Sequence, residues 1–345
     1  MRSRRSTLAL LRDGLVLSSA AWTASPLLAA RGPKRTTALL VPMTGDRSAL
    51  GLSIRHAAML AETDAAAMAV LDTGGTPAGA ASAALAAVKR GATMLLGPLS
   101  GAEARAVTAA VQGRVPVLTL TNDAAARGPG TFVLGITPVQ ATTAMLGYAR
   151  SRGVRRVLAI DDGTPWSTAS VAAAKAAEGE LSLIVDTAVL TGGALPPGVT
   201  PPDAVFVPGG TAAVLAAART LKDSGAQLLA TVQALDYRPD ALATLDGAWI
   251  ASPDPDRFAT FAAAYTARNG GRPGAIAALG YDAATIAHGL RLSDTLTREG
   301  LLGEAGFDCV TGPVRFRSDG SCARDFAILV PRGGVYEKVA ESRGA

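Results

Sequence analysis

The sequence predicts an α/β chain made of two successive lobes, each built on a parallel sheet. Three observations carry this. Short apolar runs alternate with Ala-rich helical runs, and the alternation begins afresh near residue 154. Strands separated by helices of this length imply βαβ crossovers. The composition, 49% hydrophobic but only 4% aromatic, suits close helix-on-sheet packing and leaves ample apolar surface for a core. A length of 345 residues fits roughly two domains.

The first series runs as follows. Thr37 to Met43 reads as a strand, Leu50 to Glu62 as a helix, and Ala67 to Thr73 as a strand. Ala78 to Arg90 is helical, and Thr93 to Leu96 is a short buried strand that stops at Gly97-Pro98. The next helix starts at Ser100, with Glu103 three residues on, the pattern of a capping box. In open α/β sheets ligands settle outside the carboxyl ends of strands, so this turn is both a capped turn and a candidate cradle for a carboxylate. Val115 to Thr121 and Thr131 to Gly135 are strands, and Val139 to Arg152 is a helix.

The second series begins with the strand Val154 to Ile160, which ends in Asp161, Asp162 and Gly163. A helix spans Ser167 to Glu178, and strands span Leu181 to Val189 and Ala204 to Val207. Thr211 to Ser224 is helical, followed by strands at Leu228 to Gln233 and Ala248 to Ala251. Phe258 to Asn269 and Ala275 to Arg298 read as helices, and the chain closes on a hairpin and the strand Phe326 to Val330.

Residues 1–30 read as an export signal. Arg2, Arg4 and Arg5 precede an apolar run from Gly14 to Ala24, and Leu28, Ala29 and Ala30 offer small residues for cleavage. The context of Arg4 and Arg5 also fits a twin-arginine signal, so a secretory and a twin-arginine route both stand. Cleavage near Arg31 delivers the chain outside the cytoplasm. No cysteine lies near the cleavage region, so no lipoprotein cysteine is expected. The two cysteines, Cys309 and Cys322, flank the turn residues Ser318, Asp319 and Gly320, and an oxidising compartment makes a disulfide between them an expectation.

Several function classes find little support. The formal net charge of +5 is dispersed, with no Lys/Arg block interleaved with aromatics, which argues against nucleic-acid binding. Two distant histidines, His56 and His288, give no metal-ligand spacing with two cysteines. Ser100 lacks the spacing of a nucleophile elbow, and with two histidines a Ser-His-Asp triad has little to draw on. The glycine pairs at 74–75 and 209–210 are too short for a dinucleotide fingerprint. The expectation is a non-enzymatic protein with no cofactor and no metal.

Six pieces of the chain, in order, resemble the type I periplasmic binding proteins, in particular the branched-chain amino-acid-binding group of ABC importers. They are Val41 to Gly45 with Leu50-Gly51, Asp72 to Gly75, Leu95 to Ser100, Val115 to Asn122, Phe261 to Tyr265 with Gly280 to Ala283, and Gly312 to Phe316 with Asp319-Gly320. The chain is also similar to penicillin-binding protein activators of the same fold. The resemblance implies two Rossmann-like lobes joined by a multi-strand hinge. Lobe 1 would comprise 36–151 plus about 254–306, and lobe 2 would comprise 152–253 plus about 307–340.

The resemblance also implies a site. Ser100 and Thr121, with Thr119 as an alternative, would hold a ligand carboxylate. Asp236 would take the ammonium, and Trp166 would cover the ligand. The family more often has Glu and Tyr at the last two places. The implied role is periplasmic delivery of an amino acid or related small carboxylate to an importer permease. The alternative is an envelope regulator that activates a peptidoglycan synthase.

Overall fold

The computed structural model describes residues 36–128, 130–189 and 202–344. The export segment read at residues 1–30 lies outside them. Strands β1 (Thr36–Val41), β2 (Met68–Asp72), β3 (Ala92–Leu96), β4 (Val117–Thr119) and β5 (Thr131–Val133) form a parallel sheet in the order β2-β1-β3-β4-β5. Helices α1 (Ser48–Ala61), α2 (Pro77–Lys89) and α3 (Gly101–Val111) connect them. Their small apolar faces allow close approach: Ala80, Ala83, Ala84 and Ala87 of α2 all pack on β1 and β3.

After α4 (Pro138–Ser151) the second series repeats the plan. It contains β6 (Arg156–Asp161), α5 (Pro165–Ala176), α6 (Glu178–Leu181), β7 (Ile184–Val189), β8 (Ala204–Val207), α7 (Thr211–Leu221), β9 (Gln227–Thr231), α8 (Pro239–Thr244) and β10 (Trp249–Ser252). Helices α9 (Pro255–Asn269), α10 (Ala275–Leu292) and α11 (Arg298–Leu301) follow, then the hairpin β11 (Val314–Phe316) and β12 (Cys322–Arg324). The final strands β13 (Phe326–Arg332) and β14 (Val335–Ser342) join the second sheet, whose order is β14-β13-β10-β9-β8-β6-β7. Strands β6 to β10 are parallel, and β13 and β14 close one edge antiparallel. The two Rossmann-like lobes are therefore present. Strand β14 has no counterpart in the sequence reading, because its alternating, half-exposed residues carry little apolar signal.

Two stretches pack otherwise than the expected lobe division. Helix α4 turns Ala141, Ala144, Met145 and Tyr148 onto the second sheet's core with Val157 and Phe206, so it belongs to lobe 2. The β11–β12 hairpin drives Val314, Phe316 and Cys322 into the first core, where Phe316 meets Phe132 edge-on at 5.6 Å. In both cases the apolar face, not the chain order, decides the lobe. The expected single helix from Ala275 to Arg298 also breaks at Leu292. Asp294 takes a left-handed φ of 58°, and the Thr295 N–H closes back on the Leu290 carbonyl.

Cys309 and Cys322 are free, buried thiols, which corrects the expected disulfide. The hairpin register sets Cys322 opposite Phe316, whereas the Cys309 carbonyl accepts the Gly312 N–H at the opposite end of the ladder. Burial raises both thiols above their ordinary range.

Among the described residues the chain passes between the two cores near residues 134–137, 253–254 and 325. A buried charge network ties two of these crossings together. Arg324, fully buried, donates to the Leu134 carbonyl and to both the carbonyl and the hydroxyl of Thr311. Asp282 of α10, also fully buried, accepts the Val310 and Thr311 N–H groups and the Thr311 hydroxyl. Removing one charge of such a network leaves the other buried without its counter-charge. Arg324→Met is expected to cost about 3–5 kcal/mol of stability, measured as a shift of the urea unfolding midpoint.

Candidate functional site

The carboxyl edge of each sheet is organised by one threonine. The Thr119 hydroxyl, at the end of β4, donates to the Pro98 carbonyl of the neighbouring turn at 2.8 Å. The Thr231 hydroxyl, at the end of β9, donates to the Pro208 carbonyl at 2.9 Å in the equivalent turn of the second lobe. The next polar residue repeats as well: the Thr121 N–H bonds to Thr119 Oγ1, and the Gln233 N–H bonds to Thr231 Oγ1, each at 3.4 Å. Thr119 and Thr231 thus satisfy backbone carbonyls that water would otherwise have to reach.

Ser100 is the N-cap of α3, and the capping box expected from the sequence is formed. Its hydroxyl donates to Glu103 Oε2 at 2.5 Å, and its N–H donates to the same oxygen at 3.1 Å. Glu103 is fully buried; its other oxygen accepts the Thr73 hydroxyl at 2.9 Å. Arg47 reaches in from the loop after β1. It donates to the Gly75 carbonyl at 2.8 Å and lies 3.6 Å from Glu103. Thr121, also buried, accepts the Asp123 N–H at 3.2 Å.

Asp123 completes the first edge. Its carboxylate pairs with Arg105 at 2.6 Å and lies against Gly101, the first residue of α3. A β-carbon at Gly101 would sit only 2.2 Å from Asp123 Oδ2, so any larger residue there would displace the Asp123 side chain. The N-terminus of α3, with its partial positive charge, therefore lies between two carboxylates of the chain itself.

The second lobe repeats this arrangement. Asp162, after β6, accepts the N–H and hydroxyl of Thr164 at 3.0 and 2.7 Å and the Gly210 N–H at 3.1 Å. A β-carbon at Gly209 would come within 1.9 Å of its Oδ2. Partial burial raises the Asp162 carboxyl, but the hydrogen bonds from Thr164, Gly210 and Ser167 outweigh it and hold the group below its ordinary value. Trp166, in the first turn of α5, donates its indole N–H to Thr231 Oγ1 at 3.2 Å.

The structure gathers Ser100, Thr119 and Thr121 on the first edge, and sets Trp166 on the second. Asp236 joins neither cluster. Arg238 clamps its carboxylate through Nε and Nη2, the shortest contact being 2.6 Å, and holds its pKa below the ordinary value. Its backbone N–H and carbonyl both bond the Tyr336 hydroxyl of edge strand β14. The sequence reading had not singled out Arg47, Asp123 or Arg238. Arg238 carried a visible signal, a cation two residues beyond Asp236. Arg47 and Asp123 reach α3 from other loops, which spacing along the chain does not reveal.

The depressed Asp162 carboxyl makes a pH prediction. A carboxylate whose folded pKa lies below its unfolded one adds stability above the unfolded value and loses it as pH falls through the folded value. Asp162→Asn is expected to lower the thermal midpoint at neutral pH. The difference from the parent protein should shrink steadily in melts taken from pH 5 downward.

A family model described as periplasmic binding protein matches residues 36–334. No curated protein matches the chain. Among solved structures, a putative branched-chain amino acid ABC transporter from Rhodospirillum rubrum is similar with a TM-score of 0.75 at 19% identity, covering 88% of this chain and 100% of that one. The C-domain of LpoA from Haemophilus influenzae, a regulator of PBP1A, gives a TM-score of 0.73 at 17% identity over 88% of this chain and 100% of the other. A solute binding protein from R. palustris in complex with benzoate gives 0.60 at 16%, covering 90% and 96%. With the family model spanning most of its length and both lobes in place, the chain belongs to the periplasmic binding protein family.

Proposed function

We propose that this chain is a non-enzymatic envelope protein that uses the two-lobed fold to engage a protein partner, a peptidoglycan synthase, rather than to carry a free amino acid. The observation that carries the reading is the state of the α3 N-terminus. A bound amino acid would bring its carboxylate there, beside Glu103 and Asp123, and the Ser100 hydroxyl already donates to Glu103. The arginines nearest that place are already engaged, Arg105 with Asp123 and Arg47 beside Glu103, so among the described residues a third carboxylate finds no cation free of a counter-charge there. The ammonium partner is also spent, because Arg238 neutralises Asp236. The likeness to the LpoA C-domain supports the reading at the level of fold. The proposed location is the periplasm, reached by the export signal at residues 1–30.

A second reading, delivery of a small solute to an ABC importer permease, is favoured by one feature. The Arg47 side chain is 41% exposed beside Ser100 and can offer a cation to a carboxylate entering the first edge. In that case two-lobe closure around the solute would drive the function.

A thermal-shift screen against free amino acids, together with affinity capture from envelope extracts, separates the two. The expected result is no shift with leucine or other zwitterions and retention of a peptidoglycan synthase on the immobilised chain. A micromolar amino-acid ligand whose binding is lost in Ser100→Ala would instead establish the carrier.

A further inference from the structure

A cavity of about 320 Å³ opens beside the first interlobe crossing, with Ala124 and the buried Cys322 among its walls. Arg127, Val133, Arg317 and Asp319 line it from lobe 1, and Val139 and Gln140 line it from α4 of lobe 2. Its apolar part includes Val139, an aliphatic side chain left 49% exposed. Its charged part is unbalanced. Two arginines face one carboxylate, and that carboxylate is already used: Asp319 Oδ1 accepts the N–H and the hydroxyl of Ser321 at 2.9 and 2.6 Å. Arg127 lies 3.6 Å from the other oxygen. The Arg317 side chain is exposed and donates to the Gly344 carbonyl at 3.4 Å. A cation beside an uncovered aliphatic surface is the complement of a carboxylate on an apolar body.

We propose that this hinge-side cavity is a ligand site for a small monocarboxylate with an apolar body, received by Arg317 and Arg127 with its body against Val133 and Val139. Its volume lies at the lower end of ligand pockets, which run from about 300 to 1,000 Å³. Because its walls come from both lobes, a ligand there touches both sides of the crossing. Binding would then favour one hinge angle over others by the difference in contact it makes in each. Ser100, Thr119 and Thr121 do not line it, and the inference does not depend on the partner reading.

Calorimetric titration of the mature chain with sodium benzoate tests it. The expected result is saturable binding that weakens about tenfold or more in Arg317→Gln, the loss of one charged contact of about 1.4 kcal/mol. Val139→Trp, which fills the cavity, should abolish binding, and Ser100→Ala should leave it unchanged. Benzamide, neutral and of the same shape, should bind at least about tenfold more weakly. Arg317 and Val139 are both exposed, so unchanged thermal melts are expected to show both variants folded. The proposal is overturned by absence of saturable benzoate binding, by affinity that survives Arg317→Gln, by equal binding of benzamide, or by loss of binding in Ser100→Ala. None of these outcomes bears on whether leucine binds or a synthase is captured.

Discussion

Every parallel sheet ends in backbone groups that the next helix cannot reach, and these must be bonded or left to water. In this protein one interaction per lobe resolves the problem: a threonine at the end of the fourth strand donates to the proline carbonyl of the turn beside it. Thr119 holds the Pro98 turn and Thr231 holds the Pro208 turn. The turn shape follows from that bond, and the position of Ser100 follows from the turn. Trp166 in turn rests its indole N–H on Thr231. Two lobes with no evident sequence repeat therefore share a construction at the level of single hydrogen bonds.

The same edges explain the electrostatic character of the site. Helix N-termini attract anions, and each lobe supplies that anion from its own chain. Glu103 and Asp123 bracket α3, while Asp162 sits against Gly209 and Gly210 ahead of α7. These carboxylates accept the N–H and hydroxyl groups of the loops around them.

The hinge has its own anchor. Arg324 joins the crossing after β5 to the crossing before β13 and, through Thr311, to Asp282 of α10. A fully buried guanidinium is costly unless its protons are bonded; both terminal nitrogens of Arg324 are bonded, its Nε is not, and the bonds made hold the crossings to the first lobe. The adjacent cavity is lined from both lobes.

The alternation of short apolar strands with Ala-rich helices sufficed to determine the α/β class, the two series and most element positions, because periodicity is a local property of the chain. The capping box at Ser100 and Glu103 was legible for the same reason: its partners lie three residues apart. What only the tertiary structure decided depended on contacts between distant residues. Packing faces assigned α4 to lobe 2 and the β11–β12 hairpin to lobe 1, Cys309 and Cys322 stayed free thiols, and β14 was recruited by an edge rather than by its own weak pattern. The occupancy of the site also belonged to this level. Asp123 sits on Gly101 and Arg47 lies beside Glu103 because strand order brings separate loops to one edge, and that order is set by packing, not by spacing along the chain.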